Sequence, residues 1–550
     1  MTTKIINNNK YNWTSWEKNN IEIFIKGSFW HEGNYFSGES ACRKLIELSY
    51  FNDKKIDETH IKFQYYLSQF IGNFALIIKS PYFVIAAVDK VRSYPIFYSI
   101  HETEFLNISN CADNLIENIT TSSLNDNAVT MFKMSGYCLG KETILKNINQ
   151  LQPGSLLFFV KGSIVKTNKY YKYFPNEKPQ NKNDSVDKLH EITMSVFSRM
   201  IESFNGAPVF LPLSGGLDSR LILVLLKKLK YDNITTYTYG KKGVWEIERA
   251  KYIAEKLGVK WHFIELKQTP SRKLFHTKER EEYFKFAGGL NSAPHLAEYY
   301  ALLKLRKQGL IPNDAIIING QSGDFTSGGH IPEFLKTHHS DQIDINIFTE
   351  TIINKHFSLW SNLKTKENKK LVSNRIIKSL SLENRKFLSK REFASHFEMH
   401  EWEERQSKYV INGQRAYDWF NYKWRLPLWD DELMEFWKNV NWEDKIGQKL
   451  LLEYLNKYNF YGMFKNTNLP AQYSYFPTWA KLIKPFFYIL SVFSDNDVQY
   501  YYHKYLKYYM TYGAFYTQKN YLEFIKSSKW HRNSVSYWVH NYLGEIIKKR

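Results

Sequence analysis

The seven residues Ser214 to Arg220, SGGLDSR, place two serines, two adjacent glycines and a carboxylate directly after an apolar run, Pro208 to Leu213, and directly before the pattern RLILVLLKKLKY. This reads as strand, glycine turn, helix. Adjacent glycines let the backbone turn tightly and come close to a ligand, while Ser214, Ser219 and the first helical amides aim donors at one spot, which suits an anion. Asp218 adds a carboxylate inside that anion site. That makes chemical sense when a divalent cation is shared between protein and phosphates, so the expected ligand is a magnesium nucleotide. The turn differs from the GxxxxGK[ST] loop of kinases and GTPases, because no Lys follows the glycines and the loop is shorter. An ordinary Gly-Gly turn is the alternative; Asp218 and the two serines argue against it.

A second turn of the same kind, NGQSGDFTSGG, runs from Asn319 to Gly329 and carries Asp324. Two carboxylates, Asp218 and Asp324, on turns at neighbouring strand ends would hold one Mg²⁺ against a pyrophosphate.

The elements that must position these turns follow from the change of period along the chain. Residues 1–20 are polar and Asn-rich and read as a leader with little structure. From Ile21 to about Tyr173 short β-rich runs (IEIFIKG, NFALIIKS, YFVIAAVD, PIFYSI, SLLFFV) are separated by Gly, Pro, Asn and Asp. Residues 174–185, FPNEKPQNKNDS, read as a linker. Residues 186–550 begin with helix Val186 to Ser203 and the strand at Pro208. Strand Ile234 to Tyr239, helix Trp245 to Leu257, strand Lys260 to Leu266, helix Pro294 to Lys307 and strand Ala315 to Asn319 follow, and helical patterns dominate from Ile331 onward. Alternating strands and helices predict a parallel sheet covered on both faces, with ligands at the carboxyl ends of its strands. The fold class is α/β: a β-rich first half, 21–173, then a parallel-sheet domain with a helical extension.

At 550 residues the chain is long enough for two domains. No apolar run reaches bilayer length, and the best, Leu482 to Phe493, is interrupted by Lys484 and Pro485. No signal-peptide pattern opens the chain, and the three cysteines, Cys42, Cys111 and Cys138, lack CxxC spacing, so a cytoplasmic location is expected. The net charge of +20 admits nucleic acid, an anionic membrane face or an acidic polymer as partner, or a general compositional bias. No compact basic run other than Lys548 to Arg550 stands out, so no specific nucleic acid is expected; a peripheral membrane or homo-oligomer contact stays open. Tyr500, Tyr501, Tyr502, Tyr505, Tyr508, Tyr509 and Tyr512 are either a stacking platform or, at near-helical spacing, packing residues. His396 and His400, at i, i+4 beside Glu398 and Glu401, read as a solvated helix face rather than a metal face. His338 and His339 sit in a polar loop.

Several stretches in order carry a family likeness: GNFALI with VDKVRSYPIFY, then SGGLDS, TYTYG followed by ERAKYIAEKLGVKWHFIEL, NGQSGDFTSGG, and WRLPLWDDELMEFW. Over most of residues 70 to 465 the chain resembles the B-type asparagine synthetases and β-lactam synthetases of the ATP-pyrophosphatase loop superfamily. The resemblance implies an N-terminal sandwich like that of N-terminal-nucleophile glutaminases and a synthetase domain that adenylates a carboxylate, which a nitrogen nucleophile then converts to an amide. It implies that Ser214, Gly215, Gly216 and Ser219 bind phosphates, that Asp218 and Asp324 hold Mg²⁺, and that Leu213, Tyr239, Asn319 and Gly320 line the adenosine pocket. It also implies a lysine on the reacting phosphate, for which Lys465 is the candidate and Lys449 the reserve.

Three departures shape the functional expectation. Glutamine-using members start their first strand with a cysteine after Met, whereas this chain begins Met1-Thr2-Thr3 and has no counterpart of the loop that holds glutamine; Thr2 is the one N-terminal nucleophile on offer, and no glutaminase activity is expected. At Gln321 the family has a Glu or Tyr that helps deprotonate the attacking nitrogen, and an amide cannot be a general base. Lys423 replaces a Glu before the Arg-x-Pro segment, which argues against free aspartate as substrate. The expected activity is an ATP-dependent, AMP-forming ligase joining ammonia or an amine to another carboxylate, for which a uronic acid of a surface polysaccharide or a peptide or natural-product acid are options. Sulfur transfer is disfavoured, since every cysteine lies at or before Cys138. The rival reading is a catalytically decayed scaffold.

Overall fold

The computed structural model describes residues 3–6, 12–48, 56–101, 105–116, 123–160, 166–177, 182–465, 482–492, 498–510, 519–527 and 530–548. In the first half, seven antiparallel strands form one sheet. Its order is Lys166–Lys169, Ser155–Val160, Phe83–Val88, Ile71–Lys79, Ile21–His31 and Thr14–Lys18, with Asn34–Ser37 folded back on Ile21–His31. A second sheet joins Thr3–Ile6, Phe105–Ser109, Phe97–His101 and Asn149–Gln150.

Period-two alternation explains why the large sheet is covered on both faces. Ala75, Ile77, Val84, Ala86, Leu157 and Phe159 point into a core shared with Tyr98, Leu106 and Ile108 of the second sheet. Their neighbours Leu76, Ile78, Ile85, Leu156 and Phe158 point the other way, onto Ala41, Cys42 and Leu45 of helix Gly38–Leu48 and Phe63 and Leu67 of helix Ile56–Gln69. The first half is therefore β-rich, as expected, and two elements depart from the expected limits. Within the expected leader, the described segments are not structureless: Thr3–Ile6 runs parallel to Phe105–Ser109, and Thr14–Lys18 pairs with Ile21–Ile25. Alternating apolar residues in those short segments are too few to register as strands until a sheet edge accepts them. Likewise the helix expected from Val186 begins at Lys182, inside the expected linker.

In the second half five strands pair in parallel in the order Lys260–Glu265, Ile234–Gly240, Val209–Pro212, Ile316–Ile318, Lys423–Arg425. Val209 and Leu211, with Ile316 and Ile318, face helices Lys182–Glu202, Leu217–Lys228 and Lys449–Tyr458; Phe210, Tyr237 and Ile317 face the core that continues into the first half. Chain order runs outward from Val209–Pro212 in one direction and from Ile316–Ile318 in the other, so the topological switch point lies between these two strands. No described helix is long and apolar enough to cross a membrane.

The C-terminal helix Ser534–Lys548 returns to the shared core, where Tyr542 Oη accepts a hydrogen bond from the Leu290 amide at 3.0 Å. Of the tyrosine series, Tyr509 is buried with Phe524 and Tyr537, and Tyr501, Tyr502 and Tyr505 pack on Phe487 and Leu506, while Tyr500 is exposed. Packing accounts for most of these rings. Tyr512 lies outside the described residues.

Charged groups buried between the halves are paired. Lys90 Nζ lies 2.8 Å from Asp431, and Lys408 Nζ meets Glu404 at 2.5 Å and donates to the Gly140 carbonyl at 2.7 Å. Arg415 donates to the Ser93 carbonyl at 2.6 Å and sits 2.8 Å from Asp418, both side chains 1 % exposed. Removing one member leaves the other charged without its counterion in a dry site. Asp418→Ala is expected to cost about 3–5 kcal/mol in urea unfolding; a loss below about 1 kcal/mol would show that water or the other partners of Arg415 compensate its charge.

Candidate functional site

The turn after Val209–Pro212 and the turn after Ile316–Ile318 meet at the switch point. Together with Ile234–Gly240 they enclose a cleft of about 600 Å³. It brings together Leu213, Ser214, Gly216, Asp218, Ser219, Tyr239, Asn319, Gly320, Gln321 and Asp324. Gly215 lies on the other side of the turn, where a Cβ would stand 2.7 Å from the Trp245 ring.

Local bonds explain how the first turn is built. Ser219 Oγ accepts from the Ser214 amide at 3.0 Å, Ser214 Oγ lies 3.1 Å from Ser219 Oγ, and Ser214 Oγ accepts from the Gly216 amide at 3.2 Å. The helix that follows, Leu217–Lys228, has Gly216 at its N-cap and no side chain capping it. An uncapped helix start beside two hydroxyls is suited to phosphate oxygens.

The second turn approaches the first because it is made of small residues. A Cβ on Gly320 would lie 3.0 Å from the Ser219 nitrogen, and one on Gly323 would lie 2.6 Å from Asp218 Cγ. Ser322 adopts the left-handed region, with φ 69°, and its hydroxyl donates to Gln406 Oε1 at 2.7 Å. This close approach lets the Asp324 amide donate to Asp218 Oδ2 at 3.2 Å. Burial and the neighbouring Asp324 carboxylate push Asp218 up to about 7, partly offset by that amide and by His330. For Asp324, His330 outweighs the effect of burial and holds the carboxyl below its usual range.

His330 is the link to the interior that sequence reasoning missed. Its Nε2 lies 3.2 Å from Asp324 Oδ2 and its Nδ1 2.6 Å from Glu401 Oε2; Glu401 in turn meets His356 Nε2 at 2.6 Å and Lys355 at 2.9 Å. Burial lowers the His330 pKa, but Glu401 and Asp324 outweigh it and raise it to about 9. Glu401 opens a π-helical stretch, Glu401–Val410, so the face carrying Glu398, His400 and Glu401 is buried, against the expectation of a solvated face. Helical spacing shows which residues share a face and says nothing of what covers it. Glu398 is held by Lys445 at 2.5 Å, and His338 Nδ1 lies 2.9 Å from the Ser340 carbonyl. Among the described residues no three His, Cys, Asp or Glu side chains gather to hold a metal. Two carboxylates fit Mg²⁺, which takes one or two carboxylates and completes its shell with phosphate oxygens and water.

Of the residues lining the cleft, Glu298 and Gln448 lacked a local signal. Glu298 is buried, accepts from Tyr237 Oη and has Tyr239 and Tyr417 as further hydrogen-bond partners; Asn319 Nδ2 donates to Tyr417 Oη at 2.6 Å. Gln448 donates to Ser327 Oγ at 2.8 Å. Gln321 Oε1 accepts from Gln414 Nε2, which orients an amide that can donate a hydrogen bond but cannot take a proton. Neither lysine candidate lines the cleft: Lys449 Nζ lies 3.2 Å from Asp444, and Lys465 is exposed, with its backbone amide held by Asn459.

With this geometry the family match falls into place: residues 191–458, which contain both turns, match the asparagine synthase family model. The chain carries an asparagine synthase domain. The β-rich half lies outside that match. Among solved structures, the chain is similar to glutamine phosphoribosylpyrophosphate amidotransferase from B. subtilis complexed with ADP and GMP, at 10 % identity over 46 % of this chain and 72 % of that one, TM-score 0.19. It is also similar to a structure described as the allosteric regulatory enzyme of purine biosynthesis, at 13 % identity over 48 % and 58 %, TM-score 0.20. Likenesses at such scores carry no argument. No curated protein matches.

The strained Asp218 has a measurable consequence. Its folded pKa of about 7 lies above the ordinary carboxylate value, so ionising it in the folded protein costs stability progressively as pH rises from about 4 to about 7. Asp218→Asn in the asparagine synthase domain should therefore be more stable than the parent at pH 8, by on the order of 1–3 kcal/mol, with the gap closing near pH 4. Thermal unfolding at both pH values checks this; an equal gap at both would assign the effect to packing.

Proposed function

We propose that this protein is an ATP-dependent ligase that activates a carboxylate as its acyl-adenylate and transfers the acyl group to ammonia or an amine. The observation that carries the reading is the pairing of Asp218 with Asp324 on two close-packed turns at the switch point, beside an uncapped helix start and inside an asparagine synthase domain.

A carboxylate is a poor acylating agent. Attack of its oxygen on the α-phosphorus of ATP breaks the bond to pyrophosphate and leaves the acyl carbon attached to AMP, a good leaving group. Mg²⁺, when held by Asp218 and Asp324, neutralises charge on the phosphates. Ser214, Ser219 and the amides of the first turn hold phosphate oxygens in place. Leu213, Tyr239, Asn319 and Gly320 line the part of the cleft suited to adenosine. Attack of nitrogen on the acyl carbon then releases AMP and one proton. Gln321 cannot accept that proton, so in this reading the nitrogen arrives neutral and the proton released on attack goes to water. Lys465 reaches the reacting phosphate only if its exposed segment moves toward the cleft when ligands bind.

The nitrogen source in this reading is free ammonia or an amine. Cys42, Cys111 and Cys138 are buried, and burial pushes the Cys42 thiol up to about 11 and the Cys138 thiol higher still, so neither of these two is a thiolate nucleophile at neutral pH. Thr2, the remaining candidate, lies outside the described residues. The substrate acid in this proposal is other than free aspartate, with an acid of a surface polysaccharide or of a peptide as the classes to screen.

Calorimetric titration of Mg-ATP tests the site without knowledge of the acid. Binding is expected in the parent protein and about a hundredfold weaker in Asp218→Ala and Asp324→Ala. With a competent acid, ammonium should support AMP release and glutamine should not. Absence of Mg-ATP binding in the parent, with and without candidate acids, would sink the ligase and leave the scaffold reading.

A further inference from the structure

Behind the glycine turn lies a second cavity, of about 440 Å³, whose wall includes Gly215, Arg220, Trp245, Arg249, Asn456 and Phe464. It shares only Gly216 and Leu217 with the nucleotide cleft, so the turn forms the wall between the two. Among the described residues its charged groups are two guanidiniums. Arg220 is 2 % exposed and donates to the Met463 carbonyl at 2.9 Å and the Gly215 carbonyl at 3.0 Å, while its Nε is buried without a hydrogen-bond partner. Among the described residues no carboxylate forms an ion pair with Arg220. The guanidinium of Arg249 stacks on Trp245, 4.8 Å from the ring centroid, which holds it in a fixed plane at the same cavity.

Burying the Arg220 cation near a second one is unfavourable unless something supplies negative charge to it. Burial and the nearby Arg249 lower the Arg220 pKa to about 10, the direction expected when positive charge is crowded in a dry place. Among the described residues no carboxylate lines this cavity. Arginine pairs bind phosphate oxygens through parallel N–H bonds, and Asn456 adds an amide able to donate.

We infer that this cavity is a second anion site, taking a pyrophosphate-class ligand on the side of the glycine turn opposite the nucleotide cleft. Within the proposed reaction, on which this assignment of a source rests, the ligand is either the pyrophosphate that leaves ATP or the diphosphate of a nucleotide-linked acid. The cavity and its cations do not themselves depend on that reaction.

The test is a titration of pyrophosphate into the full chain in EDTA. Without Mg²⁺, Asp218 and Asp324 repel a bare polyanion from the nucleotide cleft, so binding reports the second cavity. Binding is expected in the parent and about tenfold or more weaker in Arg249→Gln, with Mg-ATP affinity changed less than about threefold. Arg220→Gln should weaken pyrophosphate too, but it also frees the Met463 and Gly215 carbonyls, so the Arg249→Gln result decides if the Arg220 variant does not fold. Competition by a nucleoside diphosphate more tightly than by pyrophosphate would assign the site to the substrate, and the reverse order to the leaving group. No pyrophosphate binding in the parent, or equal binding in Arg249→Gln, overturns the inference. Mg-ATP titrations on the same samples separate the two ideas. Failure of ATP binding with Arg249-dependent pyrophosphate binding removes the ligase and keeps the cavity, and the opposite pattern does the reverse.

Discussion

Two like-charged carboxylates on neighbouring glycine turns repel each other, and the parallel-sheet half is organised to hold them together regardless. Adjacent parallel strands, Val209–Pro212 and Ile316–Ile318, set the spacing of the turns, and glycines at 320 and 323 remove the side chains that would keep the turns apart. The strain is partly met by the Asp324 amide on Asp218 and by His330 on Asp324. Burial first, and the Asp324 carboxylate second, leave the Asp218 pKa raised all the same. A carboxylate that is costly to ionise when bare suits the cation-holding role proposed for it.

The support reaches well beyond the cleft. His330 is gripped by Glu401, Glu401 by His356 and Lys355, and the π-helical stretch that begins at Glu401 also presents Glu403 to Lys169 and Glu404 to Lys408. This stretch carries acidic side chains toward both halves of the molecule. The β-rich half is thereby bound to the asparagine synthase domain through paired buried charges, together with the apolar core that the two share. Buried pairs of this kind add little net stability compared with apolar packing, but they tolerate few alternative arrangements, which suits a surface that must fix the site from behind.

Much of this was legible along the chain, because it depends on local rules. The Gly-Gly and NGQSGD turns follow apolar runs and precede helical ones, so Ser214, Asp218, Ser219, Asn319, Gly320 and Asp324 stood out by type and spacing, and the short apolar runs around them paired as parallel strands. Glu298, His330 and Gln448 did not stand out, and Glu401 stood out only as part of a helix face read as solvated, since each is an ordinary polar residue until folding places Glu298 and Gln448 on the cleft and His330 and Glu401 behind Asp324. Lys465 and Lys449 show the converse, as residues singled out by position in a motif that the structure leaves at the surface.

What the sequence determined by itself is therefore the chemistry of the two turns and the alternation that builds a sheet beneath them: glycine, serine and aspartate act through backbone geometry and short reach, which neighbours in the chain decide. Only the tertiary structure decided that the two turns share one cleft, that a face read as solvated is buried, that the first residues complete two sheets, and that Arg220 and Arg249 line one cavity. Those facts depend on which distant segments exclude water from a given side chain, and burial, not residue type, sets the cost of its charge.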